Sequence, residues 1–434
     1  MSSDVAFIEV NGVRILDWTE YSMDSDLMTA ADGFSFSVAM PREEEARRAE
    51  LREALAVGSE VTFYVGRNVQ NGSPQNRYQQ MVGIIDDLRV DVTKDGGTVF
   101  GIEGRDLAGV LTDASVELDI DVRSNMRLVD LVRAAVDPYD IEVVTDSFAA
   151  RRTLQAGRHP QNERARSAGV GASSYSLTAQ AEADRTGRPI DEVTGNFVSD
   201  AISDIQIRRA SRTGYANVMG PGDVERLLIR DARPQVGETV WAFCARHCER
   251  LGVLMWFSPL GRLILSSPRY TQEPRYRAVR RYNSTASDPN NILTGGLAES
   301  IGDRHSEVKV YGRGNIRSSE RQPVTGVATD DSWPSARSKP LYMQESSIRS
   351  STEAARKALR ELMTNKKDAY LLTYTLPDHG QNGYLFAVDS TIAVIDEPAG
   401  VEGTFYITKR TFQQDRSGGT MTSIRAVPLG SLVF

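Results

Sequence analysis

Apolar and polar residues alternate along much of both ends of this chain, and a helical period dominates its middle. Phe34, Phe36, Val38 and Met40 stand at every second position with Ser35, Ser37 and Ala39 between them. That pattern makes one face of an extended strand apolar before Pro41 ends it. Phe7–Val10 and Val13–Leu16 flank Asn11-Gly12, two residues that accept positive φ, which predicts a hairpin. Glu43-Glu44-Glu45 ahead of residues 46–55 put acids where the first turn of a short helix favours them. Val61–Val65, Met81–Val92 and Thr98–Glu103 read as further strands, with a polar loop at Arg67–Arg77 and a turn at Asp95-Gly96-Gly97. These elements predict a compact antiparallel unit.

From Ser124 the spacing changes to three and four. Met126, Leu128, Val129, Leu131, Val132 and Val136 predict a helix with Ser124 as its N-cap, closed by Pro138. Residues 150–222 turn to Ser, Gly, Arg, Ala and Asn, too poor in large apolar side chains to bury a core alone, and read as a long extended insertion. Thr239 then caps a helix carrying Val240, Phe243, Cys244, Cys248 and Leu251 on one face, with Gly252 at its end. Strands follow at Val253–Phe257 and Arg262–Leu265. The C-terminal part predicts strands at Glu307–Tyr311, Tyr370–Leu376, Ser390–Ile395, Phe405–Phe412 and Thr420–Val427. One helix interrupts them, boxed by Ser350 and Glu353 and buried along Ala355, Ala358, Leu359, Leu362 and Met363. The fold class is therefore mainly β with an α+β middle. A first antiparallel β-barrel spans 1–115, a mixed domain 116–275 carries the insertion 150–222, and a second barrel spans 276–434 with a helix inserted at 351–364.

The two β regions repeat one another. Phe36-Ser-Val-Ala-Met40-Pro41 parallels Leu372-Thr-Tyr-Thr-Leu376-Pro377 at an offset of 336, and Ala56–Val61 parallels Ala387–Ile392 at 331. Ile85, Gly96-Gly97-Thr98 and Ile102 parallel Ile407, Gly418-Gly419-Thr420 and Ile424 at 322. The landmarks keep their order, and the offset shrinks where the first copy has longer loops. Two like units per chain mean that three chains offer six, enough for a pseudo-sixfold ring under true threefold symmetry.

Composition narrows the chemistry. The 434 residues carry a net charge of −7, which gives no basic field for holding nucleic acid. The basic runs Arg208–Arg212 and Arg275–Arg281 read as interface or solvated arms. No run of about 18 apolar residues marks a membrane span, and Met1–Asp4 does not open a secretory signal. Cys244-Ala-Arg-His247-Cys248 offers three ligands on one helix without a fourth, and the cysteines read as small hydrophobes on its apolar face, so no metal or cofactor is expected. His305 and His379 lie in turn-like contexts without a nucleophile, and there is no Gly-x-Ser-x-Gly elbow. Tyr311-Gly-Arg-Gly314 and Gly169-Val-Gly171 lack the rest of a phosphate loop and read as turns. Glu117, Asp119 and Asp121 share one face of any strand there, and paired acids could hydrolyse a glycosidic bond. The interleaved Val116, Leu118, Ile120 and Val122 favour a half-buried strand with a solvated acidic face.

The two β units, the mixed domain between them, and the segment Gly237-Glu-Thr-Val-Trp241…Leu251-Gly252…Gly261-Arg-Leu263-Ile-Leu265 resemble baseplate hub proteins of contractile-tailed phages. These are the Mu-like tail hubs, related in fold to the T4 hub and the N-terminal part of type VI secretion spike proteins. The resemblance implies a non-enzymatic virion protein of the tail baseplate, assembled in the host cytoplasm. It implies a homotrimeric ring that continues the sixfold tail tube, seats the threefold central spike and contacts inner baseplate (wedge) and tape measure proteins. DNA would then pass an acidic lumen without specific binding. Phe34, Phe36, Val38, Tyr370, Leu372 and Tyr374 are the expected interface residues, with the loops Arg67–Arg77 and Arg313–Pro340. The competing expectation is a tail-associated cell-wall hydrolase using Asp119 and Asp121.

Overall fold

The computed structural model describes residues 5–145 and 233–432, except 17, 41–43, 71–72, 93, 95–96, 121–125, 251–252, 286–288, 313–323, 347, 349–350 and 416–418. The expected insertion, the Ser124 cap, Asp95 and Gly96 of the expected turn, the Gly252 helix end and the Ser350 half of the capping box lie outside the described residues.

The first unit runs β1 (Val5–Val10), β2 (Val13–Ile15), β3 (Trp18–Asp26), β4 (Gly33–Met40), α1 (Glu45–Ala54), β5 (Glu60–Gln70), β6 (Ser73–Val92) and β7 (Thr98–Asp106). Asn11 and Gly12 turn the β1–β2 hairpin at φ of 50° and 79°, as two such residues should. β4 alternates buried and half-buried at every position, so the period-two pattern is realised to the residue. The expected polar loop at Arg67–Arg77 is instead a ladder: β5 and β6 stay paired out to Gln70 and Ser73, giving a long two-stranded arm.

The middle module holds α2 (Ala108–Asp113), α3 (Leu128–Val136), β8 (Val143–Thr145), α4 (Val240–Arg250), β9 (Leu254–Phe257) and β10 (Leu263–Ser266). Thr239 Oγ1 accepts the Ala242 amide at 3.2 Å, capping α4 as its sequence suggests. β9 and β10 are buried on both faces. Met255, Phe257, Leu263 and Leu265 face the helices, while Leu254, Trp256 and Ile264 meet Tyr406, Val427 and Leu432 of the second unit. Over its described residues, 116–120, the strand expected at Val116–Val122 is not one: Leu118 and Asp119 sit in an exposed turn. No described strand offers that backbone a ladder, so alternation alone does not extend it.

The second unit runs β11 (Tyr276–Arg280), β12 (Thr294–Glu299), β13 (Glu307–Gly312), β14 (Val324–Thr329), β15 (Pro340–Glu345), α5 (Ser351–Asp368), β16 (Tyr370–Pro377), β17 (Gly380–Gln381), β18 (Tyr384–Leu385), β19 (Ser390–Asp396), β20 (Val401–Asp415) and β21 (Gly419–Pro428). β11 corrects the reading of Arg275–Arg281 as an interface or solvated arm: Tyr276, Ala278 and Val279 are buried in the chain's own core, and Arg280 pairs with Asp396 at 2.6 Å. β13–β15 form a separate three-stranded sheet under α5, so part of the expected loop at Arg313–Pro340 is strand. Gly326 on β14 lies so close to α5 that any Cβ there would overlap the backbone of Ala354 and Ala355. That contact turns the helix so that Ala354, Ala358 and Leu362 are its buried stripe, with Ala355, Leu359 and Met363 half-buried beside it.

Both β units belong to one 13-stranded sheet and one apolar core. Among the described residues no pairing closes either unit into a barrel; the sheet runs on from one unit into the other.

Candidate functional site, the joint between two repeated units

The units repeat in strand order. The first reads β3-β4-β7-β6-β5-β1, and the second reads β12-β16-β21-β20-β19-β11. Register repeats too. Gly83 opposite Asp106, through Val92 opposite Thr98, becomes Phe405 opposite Pro428, through Gln414 opposite Thr420, on adding 322 throughout. The same bulge interrupts both ladders, after Ile85 and after Ile407. Bulges are position-specific features of a ladder, so a shared one points to a common plan. The β5–β6 and β19–β20 ladders correspond at the expected offset of 331. For β4 and β16 the offset is 338, because Ile102 and its counterpart Ile424 face Phe36 and Tyr374. The offset of 336 suggested by the two prolines is corrected by two residues. A shift of two keeps the same side chains on the core face, which is why the sequence pattern tolerates it. β3 corresponds to β12 at 274, from Phe36 opposite Tyr21 and Tyr374 opposite Gly295. One difference stands: β1 lies antiparallel on β5, whereas β11 lies parallel on β19.

The units meet where β3 pairs antiparallel with β20, from Lys409 opposite Asp26 to Gln414 opposite Tyr21. On the core side Met23 and Phe412 face each other, both fully buried. His379, from the turn after β16, fills the space beside them and stacks on Phe412 with ring centroids 4.3 Å apart. The Thr422 hydroxyl donates to the Asp378 carbonyl at 2.6 Å, so it accepts from His379 Nδ1 at 3.2 Å. Nε2 meets the Tyr21 hydroxyl of the other unit. His379 is thus a hydrogen-bonded pin, with both ring nitrogens engaged in structure.

Around this pin the charges are arranged by burial. Arg410 is buried beside Phe412, its guanidinium carbon 4.0 Å from the ring centre, and gives Nη1–H to Gln80 at 2.9 Å. Burial lowers its pKa to about 10, which leaves it charged at neutral pH. Asp32 accepts the Asp26 amide at 2.7 Å, and burial pushes its carboxyl up to about 7. Asp106, whose amide donates to the Asp32 carbonyl at 2.8 Å, is raised likewise by burial and by the Asp32 charge. A carboxyl with a raised folded pKa stabilises fully below its unfolded value, near 4, and that contribution is lost as pH rises through about 7. The melting temperature should therefore fall between pH 5 and pH 8, and Asp32→Asn, which keeps the amide hydrogen bond, should flatten that fall. Thermal melts of both proteins across that range check it; an equally steep fall in the variant would contradict it.

The opposite face of the sheet is small and polar across the joint. Ser22, Asp24, Ser35, Ser37 and Glu103 lie on it in the first unit, and Lys409, Thr411, Gln413, Thr373 and Ser423 in the second, by the alternation of the paired strands. Asp24 ties the two, accepting from Lys409 at 2.9 Å and Thr411 at 2.7 Å.

Other sequence candidates fall elsewhere. Phe34, Phe36, Val38, Leu372 and Tyr374 are buried and Tyr370 is half-buried, on β4 and β16, strands that have neighbours on both edges. Cys244 and Cys248 are buried in the α4 face, the Cys244 thiol pushed up to about 12 by burial, so they pack as apolar groups. His305 meets Asn365 of α5 through Nδ1 at 3.2 Å, a contact that ties the start of β13 to the helix. Asp121 lies outside the described residues, and Asp119 is on the exposed turn. No motif points to the residues that make the joint, Tyr21, His379 and Arg410; from sequence His379 reads only as a turn histidine. Tyr21 alone, at the same alternation as Met23, leaves a trace in the pattern.

The chain matches a family described as "Tail protein, C-terminal domain" over residues 365–426, the stretch from the end of α5 through most of β21. No curated protein sequence matches at a significant level. Among solved structures, the tail protein from Neisseria meningitidis MC58 superposes with a TM-score of 0.67 at 19% identity, covering 99% of this chain and 98% of that one. The 43 kDa tail protein of prophage MuSo2 from Shewanella oneidensis gives 0.67 at 14%, covering 99% and 100%. Prophage tail protein gp18 from Listeria monocytogenes EGD-e gives 0.50 at 9%, covering 98% and 94%. The fold is that of phage tail proteins, and the hub-like resemblance stands at the level of fold.

Proposed function

We propose that this chain is a structural hub of a contractile tail or a related injection particle, three copies of which form a ring presenting six like β units. The observation that carries the reading is the repeat of one ladder register, bulge included, in both units. A protein with one such unit would make a sixfold ring from six chains; fusing two makes the same ring from three. Such a ring can continue a sixfold tube on one side and seat a threefold spike on the other. Inner baseplate and tape measure proteins are its remaining partners in this reading, and the baseplate of the virion is its location.

Its chemistry is consistent with a passage. The polar face that runs through the joint carries hydroxyls, acids and a lysine held by Asp24. With a chain charge of −7, such a wall repels phosphate rather than gripping it, so DNA would slide past without specific binding. No reaction is assigned: the Asp119 and Asp121 alternative has no supporting geometry among the described residues.

Sedimentation of the full chain, alone and with tube and spike proteins, tests the reading. A species about three times the 47.8 kDa chain is expected, stabilised by either partner. A monomer indifferent to both would overturn it.

A further inference from the structure

The joint within one chain specifies what should join one chain to the next. β3 continues β20, with hydrogen-bonded pairs at 25 and 410, 23 and 412, and 21 and 414; the Leu27 amide donating to the Thr408 carbonyl at 2.9 Å sets that phase. Translating each partner by its own repeat offset gives two other strand edges. Residues 409–414 become Asp87–Val92 of β6, and residues 21–25 become Gly295–Glu299 of β12. Both edges are open among the described residues. β5 leaves β6 at Ile84, its last pairs being Glu60 with Ile84 and the Ile85 amide with Ser59, so 87–92 bond only to β7. β12 pairs as a strand only with β16, its other edge meeting just the Arg280 side chain at Gly295.

The same position in the two units shows the difference. Phe412 is 0% exposed under β3, whereas its counterpart Val90 is 41% exposed and Val92 beyond it 73%. The edge's unpaired backbone, with Leu88, Val90 and Val92 along one face, is a template for another strand, while Asp87, Arg89 and Asp91 stand on the polar face. The sheet's other terminal strand, β2, is only three residues long, which suits a blunted edge.

We propose that β12 of one copy adds antiparallel to the open edge of β6 in a second copy of this chain, Glu299 opposite Leu88 and Leu297 opposite Val90. The intramolecular joint is then repeated between chains, head to tail, and the sheet continues around the ring. Leu297 and Val90 take the places of Met23 and Phe412. The ladder ends at Gly295, whose carbonyl already accepts from Arg280 Nη2 at 3.1 Å. This rests on the ring reading and adds the edges and the register to it.

Cysteine cross-linking of the full chain tests it. Arg89 and Ala298 are both exposed and would face each other as a non-hydrogen-bonded pair, whose close Cα approach of about 4.5 Å suits a disulfide. The native Cys244 and Cys248 are buried and do not compete. Under oxidation, the Arg89→Cys/Ala298→Cys double variant should give covalent dimers and trimers on a non-reducing gel. Each single variant should give none, and the shifted pair Arg89→Cys/Gly296→Cys at least tenfold less. Val90→Pro removes one outward N–H without touching the β7 ladder, so its circular dichroism should be unchanged while association falls tenfold or more. A trimer by mass that lacks the 89–298 cross-link, forms it equally in the shifted register, or survives Val90→Pro would overturn this interface and leave the ring standing. A monomer under every condition would overturn both.

Discussion

Phe412→Ala should destabilise the protein by about 3–5 kcal/mol, while Val90→Ala, the same position in the other unit, should shift the monomer by under about 0.5 kcal/mol. Phe412 is fully buried, stacks on His379 at 4.3 Å and lies beneath the Arg410 guanidinium at 4.0 Å. Removing the ring opens a cavity that the rigid sheet cannot close, strips the aromatic face from a buried cation, and loosens the pin that holds Tyr21. Val90 has little to lose, because its own chain leaves it largely uncovered. Urea unfolding midpoints of the two variants in the isolated chain measure the contrast. Equal midpoint shifts would mean that the two units are not equivalent in the way their registers indicate.

Asp330→Ala should cost about 1–3 kcal/mol locally, because it removes the buried acceptor shared by two cations and the Ser332 amide. The Asp330 side chain is 0% exposed and accepts from Arg304 at 2.7 Å and Lys366 at 3.2 Å. It also takes the Ser332 amide at 3.0 Å. These donors hold its carboxyl well below the usual carboxylate range. The stability it confers is therefore present above the unfolded carboxylate pKa near 4 and is lost as pH falls below that. Since Lys366 lies on α5 and Arg304 just before β13, the damage should stay within the β13–β15 sheet and its helix. Hydrogen exchange would show it as lost protection in residues 307–312, 324–329, 340–345 and 351–368, with the 13-stranded sheet unchanged. Uniform loss across both would contradict the local assignment.

The sequence by itself was enough for the elements whose partners are near or whose pattern is complete. The Asn11-Gly12 hairpin, the alternation of β4 and the cap at Thr239 are all local events, decided by φ preferences and side-chain period. The duplication was also legible, and two of its three offsets were right to the residue. The third missed by two because an even shift leaves every side chain on its own face, so nothing in the pattern penalises it. Other features were invisible for the converse reason. Residues 67–70 and 73–76 look like a loop because their ladder is a pairing of backbones, which carries no apolar code of its own. Tyr276–Arg280 looks like a basic arm because arginines interrupt its core residues, one of them paired with Asp396.

Where the units meet depends on contacts between distant parts of the chain. Tyr21 and His379 lie 358 positions apart, and Asp24 and Lys409 lie 385 apart. No local period connects such pairs; they come together because β3 and β20 share a ladder, and a ladder is chosen by which edges are left open once every other strand is paired. Strand identity is a property of short segments, whereas edge identity is a property of the whole sheet.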